Sequence, residues 1–150
     1  MASNAWVIYD EAVRGLGEAK FSLASSDTLK VALFLNTSNC ADKALADAHY
    51  ATLTDEHAEA NGYLTGGVAC VATWANASGV STLDIANAVW NASGGSIAFR
   101  WAVLYDDTAG DKDLIAYCLV DNAPADVLAI DGKTLTLRIN VSGVFAMSQT

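Results

Sequence analysis

The chain has 150 residues, 53% of them hydrophobic and 17% charged, with one proline and a net charge of −9. That length and apolar content suit one domain with a sizeable core and exclude a disordered chain. The acidic balance argues against a nucleic-acid binder, which needs clustered Lys and Arg, and against docking on anionic membranes. Between Ala44 and Phe99 there is no Lys or Arg, while five acids occur. That stretch reads as solvated surface, with a face for a basic partner as the alternative. No apolar run is long enough for a transmembrane helix, and the N-terminus lacks the basic region of a signal peptide.

Trp6, Tyr9, Val13 and Leu16 recur at helical spacing. They predict a helix over residues 4–15, capped by Ser3 or Asn4 and ended by Gly15 and Gly17. Residues 29–36 alternate and predict a strand. A polar, Ala-rich excursion over 37–62 follows, with helical turns expected at 41–48 and 53–56, running across the surface. Strands are then predicted at 66–74, 82–89, 97–105, 114–120, 127–130, 133–141 and 144–147.

Residues 96–120 read as a hairpin of two apolar runs around an acidic turn, and 114–120 is apolar on both faces, as a central strand would be. In 133–141, Leu135, Leu137, Ile139 and Val141 should point inward. Turn signals separate the strands, among them Asp121-Asn122-Ala123-Pro124 and a two-residue hairpin turn at Asp131-Gly132. The expected class is mainly β: an antiparallel sandwich or barrel, jelly-roll-like, with an N-terminal helix and a partly helical long loop.

Candidate chemistry is sparse. Cys40, Cys70 and Cys118 form no C-x-x-C pair, which argues against zinc and redox sites and suits a reducing cytoplasm. Cys70 and Cys118 lie in apolar strand patterns and read as small core residues. His49 and His57 sit among acids, but their spacing matches no metal or catalytic motif. Asp106, Asp107, Asp111 and Asp113 crowd one turn. They read as a solvent-facing tip before a calcium loop, because the helix–loop–helix pattern is absent. Trp6, Trp74 and Trp101 fall at core phases, whereas Trp90 borders a turn and is a candidate exposed anchor for a partner. No G-x-S-x-G elbow occurs, so we expect neither an enzyme nor a cofactor.

Several segments occur in a familiar order: residues 27–33 (DTLKVAL), 48–53 (AHYATL), 62–68 (GYLTGGV), 83–90 (LDIANAVW), 99–108 (FRWAVLYDDT) and 113–117 (DLIAY). Over residues 6–145 the chain resembles a widespread group of small tailed-bacteriophage virion structural proteins. The resemblance implies a β-rich assembly module located in the virion. Its expected role is a capsid decoration or cement protein that binds the major capsid protein or other virion proteins. A homo-oligomer is expected, with a trimer suited to three-fold positions. Neck, tail or baseplate placement is the alternative. A carbohydrate-binding module on a fibre, using Trp90 and the acidic tip, is a further one.

Overall fold

The computed structural model describes residues 4–24, 26–121 and 126–148. The first half of the chain contributes β1 (Val7–Ile8), α1 (Asp10–Gly17), β2 (Leu29–Phe34), β3 (Val68–Cys70) and β4 (Ala72–Ala77). The second half contributes β5 (Val80–Ile85), β6 (Ala88–Asn91), β7 (Ile97–Phe99), β8 (Trp101–Asp106), β9 (Leu114–Leu119), β10 (Val127–Ala129), β11 (Thr134–Leu137) and β12 (Phe145–Ser148). The largest sheet runs β1-β9-β8-β2-β3, and β10-β7, β11-β6 and β12-β5-β4 form smaller ones. Every pairing is antiparallel. The fold is mainly β and sandwich-like, and among the described residues the strands do not close into a barrel. Among the described residues no helix is long and apolar enough to cross a membrane.

The 96–120 hairpin supplies the centre of the main sheet: β8 pairs with β9 from Trp101↔Leu119 to Tyr105↔Leu114, with a register shift after Leu104. Both faces of β2, β8 and β9 are buried almost throughout, which is why these runs are apolar at successive positions rather than at alternate ones. One face is covered from outside the strands. The 39–41 turn packs on β8 and β9, and the Tyr9 hydroxyl donates to the Cys40 carbonyl at 2.6 Å. Cys40, Cys70 and Cys118 are all free and buried.

Several predicted strands are divided, for a common reason. Residues 66–74 become β3 and β4, which lie in different sheets. The switch falls at Val71, whose side chain is left 76% exposed. Its carbonyl still accepts from Ala86 N at 2.8 Å. Arg100 divides 97–105 in the same way: its N–H donates to Phe34 O at 2.7 Å and its carbonyl accepts from Val120 N at 3.0 Å. The run 82–89 breaks before Ala88, and Asn87 Oδ1 accepts from Ile139 N at 3.0 Å. Strands that change sheets while their backbone groups stay paired form the corners of a sandwich.

Other expectations change more. The helix is Asp10–Gly17, not 4–15. Trp6 and Tyr9 enter the core from extended chain, because Val7 and Ile8 pair with Tyr117 and Ala116. Val13 is 61% exposed, so the apparent helical stripe was an accident of spacing. Ser3 and residues 122–124 of the predicted 121–124 turn lie outside the described residues. In the excursion, helical turns at 41–48 and 53–56 are replaced by short 3-10 turns at Asn39–Ala41 and Tyr50–Thr52. Asp131-Gly132 makes a turn, with Lys133 N donating to Ile130 O at 3.0 Å, but no hairpin. The strands on either side pair elsewhere, β10 with β7 and β11 with β6. Leu135 and Leu137 are buried as expected, whereas Val141 is fully exposed in the turn that Gly143 N closes onto Asn140 O.

Gly67 has φ +71°, and a Cβ there would lie 1.9 Å from Val31 O. Gly67→Ala should therefore lower unfolding free energy by about 3 kcal/mol or more. Gly17→Ala, which meets nothing within 4 Å, should be neutral or stabilising by up to about 1 kcal/mol. Urea denaturation of both variants measures the contrast.

Candidate functional site

A dense polar cluster forms where the excursion rejoins the main sheet. The outer edge of β2 has two partners. β3 pairs with Leu29, Lys30 and Val31. Further along, Leu35 N donates to Asp55 O and His57 N donates to Leu33 O, both at 2.9 Å, so residues 55–57 run along the same edge. Between these two partners the Leu33 N–H has no strand to bond. The Tyr63 hydroxyl fills the gap, accepting from Leu33 N at 3.0 Å and donating to Glu56 Oε1 at 2.6 Å.

Glu56 Oε1 also accepts from Gly66 N at 2.7 Å, and Oε2 accepts from the Tyr50 hydroxyl. Tyr50 stacks on Tyr105 with centroids 4.6 Å apart, and the Tyr105 hydroxyl donates to Gly66 O at 2.8 Å. Burial first, and then the hydrogen bonds to Glu56, push the Tyr50 and Tyr63 hydroxyls well above the ordinary phenol range. Burial also raises Tyr105. These groups stay protonated and donate at any physiological pH. The cluster ties the β2 edge to the Gly66 backbone through Tyr63 and Glu56, and so serves as a clamp on the backbone.

The candidate residues read from the sequence are dispersed. His49 is half-buried and sits at the acidic turn, its Nε2 3.4 Å from Asp113 Oδ1. His57 lies instead against Tyr63, edge-on at 5.2 Å. Burial lowers its pKa, which favours the neutral ring. Trp90 is 2% exposed, the opposite of the expected partner anchor, because β6 turns it inward beside Leu135 of β11.

The Asp106–Asp113 turn is not a uniform solvent-facing tip. Asp106 is fully buried, and its Oδ1 accepts from Thr108 N at 2.7 Å and Ala109 N at 3.2 Å. Asp107 bridges Lys30 and Lys112, each at 2.8 Å. Burial alone would raise Asp107, but the two lysines win and hold it below the usual carboxylate range. Asp111 points outward and Asp113 turns to His49. The four carboxylates therefore diverge, and no group of three or more His, Cys, Asp or Glu among the described residues is arranged to hold a metal ion.

Glu56, Tyr50, Tyr63 and Tyr105 were not among the residues singled out from the sequence. Their signal was the glycine pattern of 62–68: Gly62, Gly66 and Gly67 all take positive φ around Tyr63. Comparison with family models, with curated proteins and with solved structures finds no match.

Tyr63→Phe should cost about 1–3 kcal/mol, since it leaves Leu33 N–H and a Glu56 oxygen without their partner. It should also raise amide exchange across residues 55–67, read by hydrogen–deuterium exchange. A second expectation concerns Asp106. Burial pushes its pKa up to about 6, the Thr108 and Ala109 N–H groups oppose the rise, and the Asp27 carboxyl adds to it. A carboxyl raised on folding gives stability that is complete below its unfolded value and lost as pH climbs through its folded one. Stability should thus fall between about pH 4 and pH 6.5 from this group. Asp106→Asn should flatten that slope and gain on the order of 2 kcal/mol at pH 7.5, as thermal melts across the range would read.

Proposed function

We propose that the protein is a structural component of a tailed-bacteriophage particle, a capsid decoration or cement protein that binds across joints between shell subunits. The observation that carries this reading lies in segment 62–68, one of those on which the resemblance rests. Tyr63 and Gly66 hold the Glu56 carboxylate, and Gly67 lies against the β2 backbone. The segment's distinctive residues thus hold an excursion in place rather than present a reactive group. The apolar part of 99–108 is likewise interior, with Ala102, Val103, Leu104 and Tyr105 all inaccessible. A rigidly clamped surface loop on a β framework is what repeated docking needs, since little ordering entropy is lost on binding.

The net charge of −9 suits an outward position, away from packaged DNA. Partners would be the major capsid protein or other virion proteins. Neck, tail or baseplate placement uses the same properties. The carbohydrate-binding alternative loses its stacking platform with Trp90 buried.

Co-sedimentation of the purified protein with intact capsids and with isolated shell subunits tests the reading. Saturable binding to capsids alone is expected, because the site spans subunits. Equal binding to both, or to neither, counts against it.

A further inference from the structure

The segment that leads from α1 into β2 is held lightly. Phe21 and Leu23 are buried, and a Cβ on Gly15 would lie 2.8 Å from Phe21 Cε1. The segment's own hydrogen bonds are local. Ala19 N and Lys20 N donate back to Leu16 O and Gly15 O at 3.3 and 3.0 Å. Ala24 N donates to Ser22 Oγ at 3.2 Å, and Asp27 N to Ala24 O at 3.4 Å. Among the described residues no hydrogen bond from residues 19–26 reaches a strand. On one side lies a groove of about 540 Å³, with Trp74 and Met147 across from Phe21 and Leu23.

The polar tie to the sheet comes through Asp27. Its Oδ2 accepts from Ser22 N at 2.6 Å, which closes the segment into a loop. The next residue is bonded to the 106–113 turn: Thr28 N donates to Thr108 Oγ1 at 2.7 Å, and Asp107 N donates to Thr28 O at 2.8 Å. That register sets Asp27 beside Asp106, and the two carboxyl groups meet within hydrogen-bond reach.

Asp106 is wholly inaccessible. Its Oδ1 is taken by Thr108 N and Ala109 N, while Oδ2 is closed off from water and meets no donor. Two carboxylates only accept, so they cannot bond one another. One proton between them turns the contact into a charge-assisted O–H···O bond. The neighbouring cations are engaged elsewhere: Lys30 and Lys112 by Asp107, Lys20 by Glu18, and Arg14 by Glu11 and Glu18. Asp113 offers Asp106 N only its backbone carbonyl, at 3.0 Å, and its carboxylate faces His49. Across Leu29 on β3, burial keeps the Cys70 thiol neutral.

We propose that Asp27 and Asp106 form a pH-sensitive latch, in which one shared proton ties the 18–27 segment to the end of β8 and its loss sets two anions together and releases the segment. The folded value of Asp106 is the raised one, so the tie is complete in acid and is lost as pH climbs through about 6. Release bares Phe21 and Leu23 toward the groove, an apolar surface that acid keeps closed. The inference does not rest on the virion reading.

Hydrogen–deuterium exchange at pH 5 and pH 7.5, corrected for the intrinsic rate at each pH, tests it. Protection of residues 22–28 should fall at least about tenfold at the higher pH, which lies well past the loss of the proton. Strands β8 and β9 should keep theirs. Asp27→Asn should stay protected at both pH values, because its amide donates to Asp106 with no proton to lose and its oxygen still accepts from Ser22 N. Asp27→Ala, which offers neither, should be loose at both. Carbon-13 NMR of the carboxyl groups should show Asp27 and Asp106 titrating together in two steps. Protection of 22–28 that does not change with pH, that changes equally in β8 and β9, or that still changes in Asp27→Asn would each overturn the proposal. So would two carboxyl groups that titrate independently.

Discussion

The fold depends on one carboxylate. Glu56 gathers hydrogen bonds from two tyrosine hydroxyls and the Gly66 N–H, and one of those hydroxyls also takes the Leu33 N–H that neither flanking segment can reach. A strand edge left with a bare, buried donor costs as much as a lost hydrogen bond. The clamp therefore does two things at once. It completes the edge of the main sheet, and it fixes the point at which the 37–62 excursion returns. With that point fixed, Cys40 and Ala48 can cover the face of β8 and β9, and Tyr9 can anchor to Cys40 from the other side. Burial keeps the phenols protonated, so they go on donating into the alkaline range.

Class and strand content were legible because they follow from local patterning. The apolar runs at 97–105 and 114–120 read as interior strands, and they became β8 and β9 inside the main sheet and β7, which pairs with β10. The boundaries were less legible. Nothing in residues 66–74 marks Val71 as the place where the chain changes sheets, since the change is set by which strands lie alongside, β2 before it and β5 after it. The helix was misplaced for a related reason. Trp6 and Tyr9 are three apart, and both an extended segment laid on β9 and a helix turn can bury such a pair.

The candidate site was hidden by its chemistry. Reactive groups advertise themselves through residue type, and the reading therefore turned to His49, His57 and the aspartates of the 106–113 turn. The cluster that matters is built from tyrosines, which look like core, and from one glutamate of an acidic loop, which looks like surface. Only the glycines of 62–68 hinted at a backbone held in an unusual path. Asp106 shows the converse. An aspartate in an acid-rich turn looks solvated, yet its Oδ1 faces two backbone N–H groups and its side chain is closed off from water.

The pairing of β2 with β8 also sets an order of events during synthesis. Leu29 through Phe34 must wait for Asp106 through Trp101 before their edge is satisfied, and Val7 and Ile8 wait longer still, for Tyr117 and Ala116. Contacts so distant in sequence are costly to close and slow to form. Until β8 emerges, β2 can pair along one edge only, with residues 55–57 and with β3. The stretch that emerges directly behind β2 is acidic, with five carboxylates and one lysine between residues 42 and 59.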